Sequence, residues 1–261
     1  IYGCYNATIP EGVKSIGGQA FAGQKRLKSI TIPSSVKAIY GYDKELELGA
    51  FSYSALESIT FAEGSQLTTI EPYAFFYCKS LKSIDLPKSL TTSGEGAFLE
   101  CYALESVTLG SSVETIGASA FNCAPISSIT IPASVKSIGN RAFYNCKNLE
   151  HVTLHCANVD NWFSGYATIK EVIVGEGVTS IVDDAFSGCN IERVTFNCAN
   201  VGGWFSGTTT LKEVVLSENL TSIGDDAFYN CNALESVTIP ASVKSIGNWA
   251  FSECTKLKSM T

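Results

Sequence analysis

The sequence predicts a repeat solenoid, mainly β, in which one short unit is stacked on itself from end to end. Three observations carry this. A phenylalanine, usually preceded by alanine, recurs at Phe21, Phe51, Phe75, Phe98, Phe121, Phe143, Phe163, Phe186, Phe205, Phe228 and Phe251, with successive spacings of 30, 24, 23, 23, 22, 20, 23, 19, 23 and 23 residues. An apolar x-x-apolar-x-apolar run such as Leu149-x-x-Val152-x-Leu154 follows most anchors, and a second apolar pair such as Val135/Ile138 precedes them. Self-similarity at 20 to 30 residues is the mark of coils that bury their apolar faces only against each other. The expected domain is therefore a single array, 1–261, of about eleven coils.

Each part of the unit has a physical reading. Val107-Thr-Leu109, Ile129-Thr-Ile131 and Val237-Thr-Ile239 alternate apolar and hydroxyl side chains, as a strand with one buried face does. Proline follows at Pro10, Pro33, Pro87, Pro132 and Pro240, where a missing donor suits a chain leaving the sheet. The second pair (Val13/Ile16, Val36/Ile39, Val113/Ile116, Val243/Ile246) predicts a weaker parallel strand on the opposite wall, often ended by a corner glycine. The Ala-Phe anchor is expected to make one helical turn that drives its ring inward. The aspartate pairs Asp183-Asp184 and Asp225-Asp226, just ahead of it, read as N-terminal caps of that turn rather than calcium ligands.

Cysteine is placed by the repeat. Cys78, Cys101, Cys146, Cys189, Cys231 and Cys254 each lie three residues after an anchor, and Cys123 lies two after. That pattern predicts an inward column of small buried thiols. Coils only about 4.8 Å apart leave vertical disulfides geometrically open as well. A second column, one residue before each main strand, runs Lys28, Glu57, Lys82, Glu105, Ser127, Glu150, Lys170, Glu192, Lys212, Glu235, Lys258. Like charges side by side are unfavourable, so this alternation is expected to fix register.

A net charge of -7 without a basic stripe argues against nucleic acid and anionic membranes as partners. No run approaches the roughly 18 apolar residues of a membrane span. Polar capping units are not evident at Ile1 or Thr261, so the expectation is a segment of a longer protein. Asn6-Ala-Thr8 and Asn219-Leu-Thr221 are glycosylation sequons, relevant in a eukaryotic secretory route.

Cys-x-x-Leu-x-x-Ile-x-Ile-Pro-x-x-Val-x-x-Ile-x-x-x-Ala-Phe resembles the BspA-type (Treponema-type) leucine-rich repeat. Cys101-Tyr-Ala-Leu104 through Ala120-Phe121, and Cys231-Asn-Ala-Leu234 through Ala250-Phe251, match it closely. The resemblance spans essentially the whole chain. It implies an L-domain-like leucine-rich-repeat right-handed superhelix with a parallel β-sheet on the concave face. It also implies a cell-surface or secreted protein of bacteria or anaerobic protists, engaged in adhesion to host, matrix or other surface proteins. The family shares no catalytic residues and no cofactor, so an enzyme is not expected and no site carries over.

Candidate sites come from departures from the repeat. On the exposed side of the main strands a column of serines (Ser29, Ser58, Ser83, Ser106, Ser128, then Ser236, Ser259) is interrupted by His151, Glu171, Arg193 and Glu213. Ile173 and Val215 flank them in a neighbouring column that is otherwise mostly threonine. At about 4.8 Å per coil this patch would extend roughly 15 Å. It reads either as a partner-binding surface or as charge alternation serving register. The long first spacing places extra residues near Tyr40, Tyr42 and Asp43, which form either a binding loop or a tolerated insertion. The near copies His155-Cys-Ala-Asn-Val-Asp-Asn-Trp-Phe and Asn197-Cys-Ala-Asn-Val-Gly-Gly-Trp-Phe define short coils, in which Trp162 and Trp204 are expected to fill the volume left by the shorter loop. His151, His155 and Cys156 lack a fourth ligand at recognisable spacing, so no metal site and no cofactor is expected.

Overall fold

The computed structural model describes residues 6–41, 48–166 and 168–261. The chain is a parallel β-solenoid of about eleven turns, with no helix among the described residues. It divides into two compact units, 1–149 and 150–261.

In the first unit the main strands Asn6–Thr8, Ser29–Ile32 and Ser58–Phe61 pair in parallel, as do Ser83–Asp85 and Ser106–Thr108. The opposite wall is a six-stranded parallel sheet of two-residue strands, Ser15–Ile16, Ala38–Ile39, Thr69–Ile70, Thr92–Ser93, Thr115–Ile116 and Ser137–Ile138. In the second unit four consecutive strands, His151–Leu154, Glu171–Val174, Arg193–Phe196 and Glu213–Leu216, pair in register. Ser236–Val237 and Ser259–Met260 form a further pair. The expected second wall is present here too, as Asn158–Val159 with Ser180–Ile181, and as Asn200–Val201, Ser222–Ile223 and Ser245–Ile246. Corner glycines sit where coils crowd: a Cβ on Gly117 would run into the backbone of Gly94 and Glu95 below it.

The anchor segment corrects the expected helical turn. The residue two after each anchor phenylalanine takes a left-handed backbone angle, as at Tyr77 (φ 59°), Asn145 (56°) and Asn230 (57°), and so does the residue two before it in seven of the eleven coils, as at Tyr73 (58°) and Ser119 (53°). Backbone of this kind cannot propagate a helix. Alternate N–H groups therefore point along the stack instead of back into their own coil. Phe51, Phe75, Phe98 and Phe121 donate to the alanine carbonyl before the next anchor, at 2.8 Å each. Tyr73 N donates to Glu95 O (2.9 Å) and Tyr77 N to Leu99 O (2.9 Å) in the same sense. The intervening N–H groups close four-residue turns, as in Phe76 N to Tyr73 O (3.0 Å). Left-handed non-glycine residues cost about 1 kcal/mol or more each, and the inter-coil ladder offsets that.

The anchors form the core. In the first unit Phe21, Phe51, Phe75, Phe98, Phe121 and Phe143 stack with centroids 4.9 to 5.7 Å apart and planes within 6°. In the second, Phe163–Phe186 (5.7 Å), Phe186–Phe205 (5.5 Å) and Phe228–Phe251 (5.2 Å) stack likewise. Phe196 stands edge-on to both Phe205 and Phe228, at 5.6 and 5.9 Å. This phenylalanine, contributed by a strand, occupies core volume beside the second short coil, and Trp204 packs against it at 6.4 Å. Trp162 and Trp204 are only half-buried, which corrects the expectation that they are the filling residues.

The nine described cysteines are free thiols. Each of the six at the repeat position donates to the anchor carbonyl one coil earlier. Cys78 reaches Phe51 O (3.1 Å), Cys101 Phe75 O (3.3 Å), Cys146 Phe121 O (3.2 Å), Cys189 Phe163 O (3.1 Å), Cys231 Phe205 O (3.5 Å) and Cys254 Phe228 O (3.1 Å). The anchor carbonyl stands outside the inter-coil backbone ladder. Phe75 O, for instance, already takes Cys78 N at 3.3 Å, and the Cys101 thiol meets its second lone pair. Burial pushes the Cys146 and Cys231 thiols up to about 12.

Two tests follow from this packing. Native protein treated with iodoacetamide is expected to leave Cys101, Cys146 and Cys231 unmodified while the half-exposed Cys123 reacts; rapid alkylation of Cys146, mapped by mass spectrometry, would contradict the buried ladder. Ser93, in the column otherwise filled by Ile39, Ile70, Ile116 and Ile138, is fully buried and its hydroxyl has no partner. Removing an unsatisfied buried hydroxyl by Ser93→Ala is expected to stabilise the first unit by about 1 kcal/mol. A urea midpoint that stays put or falls would mean the hydroxyl is not a liability.

Candidate functional site

The four in-register strands of the second unit present the one stretch of the main face where charge replaces serine. Val152, Leu154, Val172, Val174, Val194 and Phe196 point inward and are buried, so His151, Glu171, Arg193 and Glu213 project outward by alternation. Their Cα atoms are direct partners along the sheet. His151 Nδ1 lies 2.8 Å from Glu171 Oε2, Arg193 Nε 3.5 Å from Glu171 Oε1, and Arg193 Nη1 3.5 Å from Glu213 Oε2. Glu171 thus uses both oxygens and is the least exposed of the four, at 28% against 53%, 45% and 54% for His151, Arg193 and Glu213. Ile173 and Val215 sit two residues along their strands, half-buried in the column shared with Thr153 and Thr195.

The neighbouring column is a second ladder, as expected. Lys28 meets Glu57 at 2.7 Å in the first unit. In the second, Lys170 meets Glu150 (2.7 Å), Lys212 meets Glu192 (2.9 Å) and Lys258 meets Glu235 (3.0 Å). The two ladders stand side by side on four coils, through Glu150-His151, Lys170-Glu171, Glu192-Arg193 and Lys212-Glu213. From Lys170-Glu171 to Lys212-Glu213 sign therefore alternates both along and across the stack, and His151, charged only when protonated, stands beside Glu150 at the end of this checkerboard, which neither column reveals alone; the four adjacent residue pairs were the available signal. At its Glu213 end the checkerboard borders a cleft of about 340 Å³ whose lining includes Lys212, Val215, Leu216, Thr238 and Pro240. In the first unit the same face carries Ser29 beside Ser58, Ser83 beside Ser106, and a Thr31–Thr60 hydroxyl contact of 3.0 Å.

Other sequence candidates fall elsewhere. Tyr40 belongs to the first unit, is 42% exposed, and is tied by its backbone to Ile16 O (2.8 Å) and Ala50 N (3.1 Å). Tyr42 and Asp43 lie outside the described residues. His155 is exposed whereas Cys156 is buried, with its thiol pushed up to about 11. Among the described residues no group of three or more His, Cys, Asp or Glu side chains could hold a metal ion. The aspartate pairs do not cap a helical turn: Asp225 Oδ1 accepts from Asn248 N of the next coil at 2.6 Å. No helix among the described residues is long and apolar enough to cross a membrane.

The family model described as "BspA type Leucine rich repeat region" matches residues 3–43, 44–162 and 201–261 in six copies. The solved structure of the pneumococcal vaccine antigen PcpA is similar over 98% of this chain and 71% of its own, at 25% identity and a TM-score of 0.56. A leucine-rich cell surface protein of Faecalibacterium prausnitzii A2-165 is 26% identical over 98% of this chain and 87% of its own, with a TM-score of 0.44. A leucine-rich repeat protein of T. pallidum is 21% identical over 98% of this chain and 78% of its own, with a TM-score of 0.33. No curated protein matches the chain.

The ladder geometry sets a pH dependence. Hydrogen bonds from Lys28, Lys170, Lys212 and Lys258 hold the carboxyls of Glu57, Glu150, Glu192 and Glu235 below the usual range. A carboxyl lowered in the folded state contributes stability above its unfolded value of about 4.3, lost as pH falls through the folded value. Lys170, raised by Glu150, contributes stability that is lost only as pH rises through its alkaline folded value. Thermal midpoints are therefore expected to be flat near neutrality and to fall on acidification. A variant with all four glutamates changed to glutamine should lose less between neutrality and acid; equal losses would show that the ladder carries none of the dependence.

Proposed function

The chain belongs to the BspA-type leucine-rich repeat family, and from that premise we propose that it is a non-enzymatic protein-binding module of a cell-surface or secreted protein. The partner is a host or matrix surface protein, or another bacterial or protist surface protein, with no nucleic acid and no membrane insertion of this segment. The observation that carries this reading is the charged and apolar patch of the second unit: His151, Glu171, Arg193 and Glu213 in register, with Ile173 and Val215 beside them. A run of paired strands holds such a patch without the ordering cost that a loop would incur on binding. Charges arranged by sign select a partner of complementary pattern more than they add affinity. Likeness to a vaccine antigen and to a protein described as a leucine-rich cell surface protein favours the surface location. A non-enzymatic role fits the Cys146 and Cys231 thiols, whose burial keeps them protonated and poorly nucleophilic.

A second reading, a spacer that holds another domain away from the cell, is favoured by one feature. The patch charges already satisfy one another, so the ladder has a structural use whether or not anything docks. The two readings separate in a pull-down from host-surface and matrix extract. The native chain is compared with a His151→Ser, Glu171→Ser, Arg193→Ser, Glu213→Ser variant of matched melting temperature. Under the binding reading the native chain retains a protein that the variant loses. A protein retained equally by both places adhesion away from this face, and no retained protein favours the spacer.

A further inference from the structure

We propose that the cleft at the Glu213 end of the charged patch is a socket for a tyrosine side chain of the partner protein, an inference that rests on the sheet face being the binding surface. The cleft, of about 340 Å³, lies between the strand Glu213–Leu216 and the next one, Ser236–Val237. It is continuous with the patch, because Glu213 and Val215 belong to its lining.

Proline opens this seam. The residue that follows a main strand donates its N–H to the strand-end carbonyl one coil earlier, as Gly175 does to Leu154 O (2.8 Å), Asn197 to Val174 O (2.8 Å) and Ser217 to Phe196 O (3.0 Å). Pro240 stands at that place in the next coil and has no N–H to give Leu216 O. The loss extends along the strand. The Glu150, Lys170 and Glu192 carbonyls each take two N–H groups from the following coil, one of them from Glu171, Arg193 or Glu213. Among the described residues Lys212 O takes none, so Ser236 N–H lacks the acceptor its counterparts have. Glu213–Leu216 is accordingly the last strand of its sheet.

The opening is one-sided. On the second wall Ser222–Ile223 still pairs with Ser245–Ile246, and on the anchor strip Phe228 N still donates to Ala250 O at 2.8 Å. The main sheet of the first unit is also interrupted, ahead of the coils that carry Pro87 and Pro132. There Ser89 and Ser134 bridge the seams by donating to Leu67 O and Val113 O, at 2.7 Å each. Ser242, at the same place after Pro240, is left with a buried hydroxyl that has no partner. The seam is thus a slot with unpaired backbone groups on both lips.

These features select the occupant. A slot cut between neighbouring strands admits a flat group, and Val215, Leu216, Val237 and Pro240 offer its faces apolar surface. Two of the three lining charges are already paired, Lys212 with Glu192 at 2.9 Å and Glu213 with Arg193 at 3.5 Å, which favours a neutral group. At its edge that group has carbonyls to donate to and an N–H to accept from. A phenolic hydroxyl does both, an indole only donates, and a phenyl ring does neither. Tyrosine also supplies a large contact area at low ordering cost.

The test is a nuclear magnetic resonance titration of the chain with N-acetyl-tyrosinamide, reading the backbone amides of Val215, Leu216, Val237 and Thr238. The phenylalanine, tryptophan and arginine amides form separate arms. Two variants, Pro240→Ala, which returns the missing N–H, and Thr238→Trp, which fills the mouth, are compared with Pro132→Ala after melting curves confirm that all are folded. Saturable shifts with the tyrosine amide are expected, at least about fivefold weaker with phenylalanine for want of the hydroxyl. Both slot variants should weaken binding at least about tenfold, and Pro132→Ala should leave it unchanged. Any other amide binding as tightly as tyrosine, undiminished binding to Thr238→Trp, equal weakening by Pro132→Ala, or no saturable shift would each overturn the proposal. The titration needs no partner, so an empty pull-down does not decide it. A protein retained by the native chain and by Thr238→Trp alike, but lost by the four-serine variant, would sink the socket and leave the sheet-face reading standing.

Discussion

In a parallel stack held in register, every residue lies beside its own counterpart one coil away, and each side chain must suit a near copy of itself. Phenylalanine suits itself by stacking ring on ring at about 5 Å. Serine and threonine do so by sharing hydroxyl hydrogen bonds, as Thr31 and Thr60 do. Cysteine does so by donating to the anchor carbonyl one coil earlier, an oxygen that the inter-coil backbone ladder leaves out. Charge alone fails the condition, because like beside like repels. Charged columns consequently alternate in sign, and the corner positions where backbones nearly touch are left to glycine.

The same condition explains what could be read from the sequence. The parallel walls, the inward thiols and the Lys/Glu ladder follow from residue type and spacing, because stacking converts sequence period directly into neighbourhood. The anchor segment was less legible. Ala-Phe flanked by Tyr73 and Tyr77, or by Ser119 and Cys123, looks like an ordinary turn of helix, and none of those residues advertises a left-handed backbone. The ladder that sustains those angles exists only between coils, so no single repeat encodes it. Phe196 was missed for a related reason: it occupies an inward strand position and reads as one more apolar residue, although its ring enters the gap between two anchors.

Of the candidate patch, membership and order were legible from the interrupted serine column. Its pairing was not. Glu171 bridges His151 and Arg193, a detail set by side-chain reach rather than spacing. The checkerboard arises because adjacent residues belong to two ladders of opposite phase.

The anchor ladder also gives the first unit's stack a direction. Its donors at Phe51, Phe75, Phe98 and Phe121 all point toward the following coil, and the accepting carbonyls all point back. Peptide dipoles of about 3.5 D each therefore add along this strip instead of cancelling. Their positive pole faces the carboxyl-terminal coil, the reverse of the sense in an α-helix. Along this strip the two faces of a coil are chemically unlike, donors on one side and acceptors on the other. Stacks of this kind can be lengthened head to tail but not mirrored, and anything that closes one end of such a strip cannot close the other.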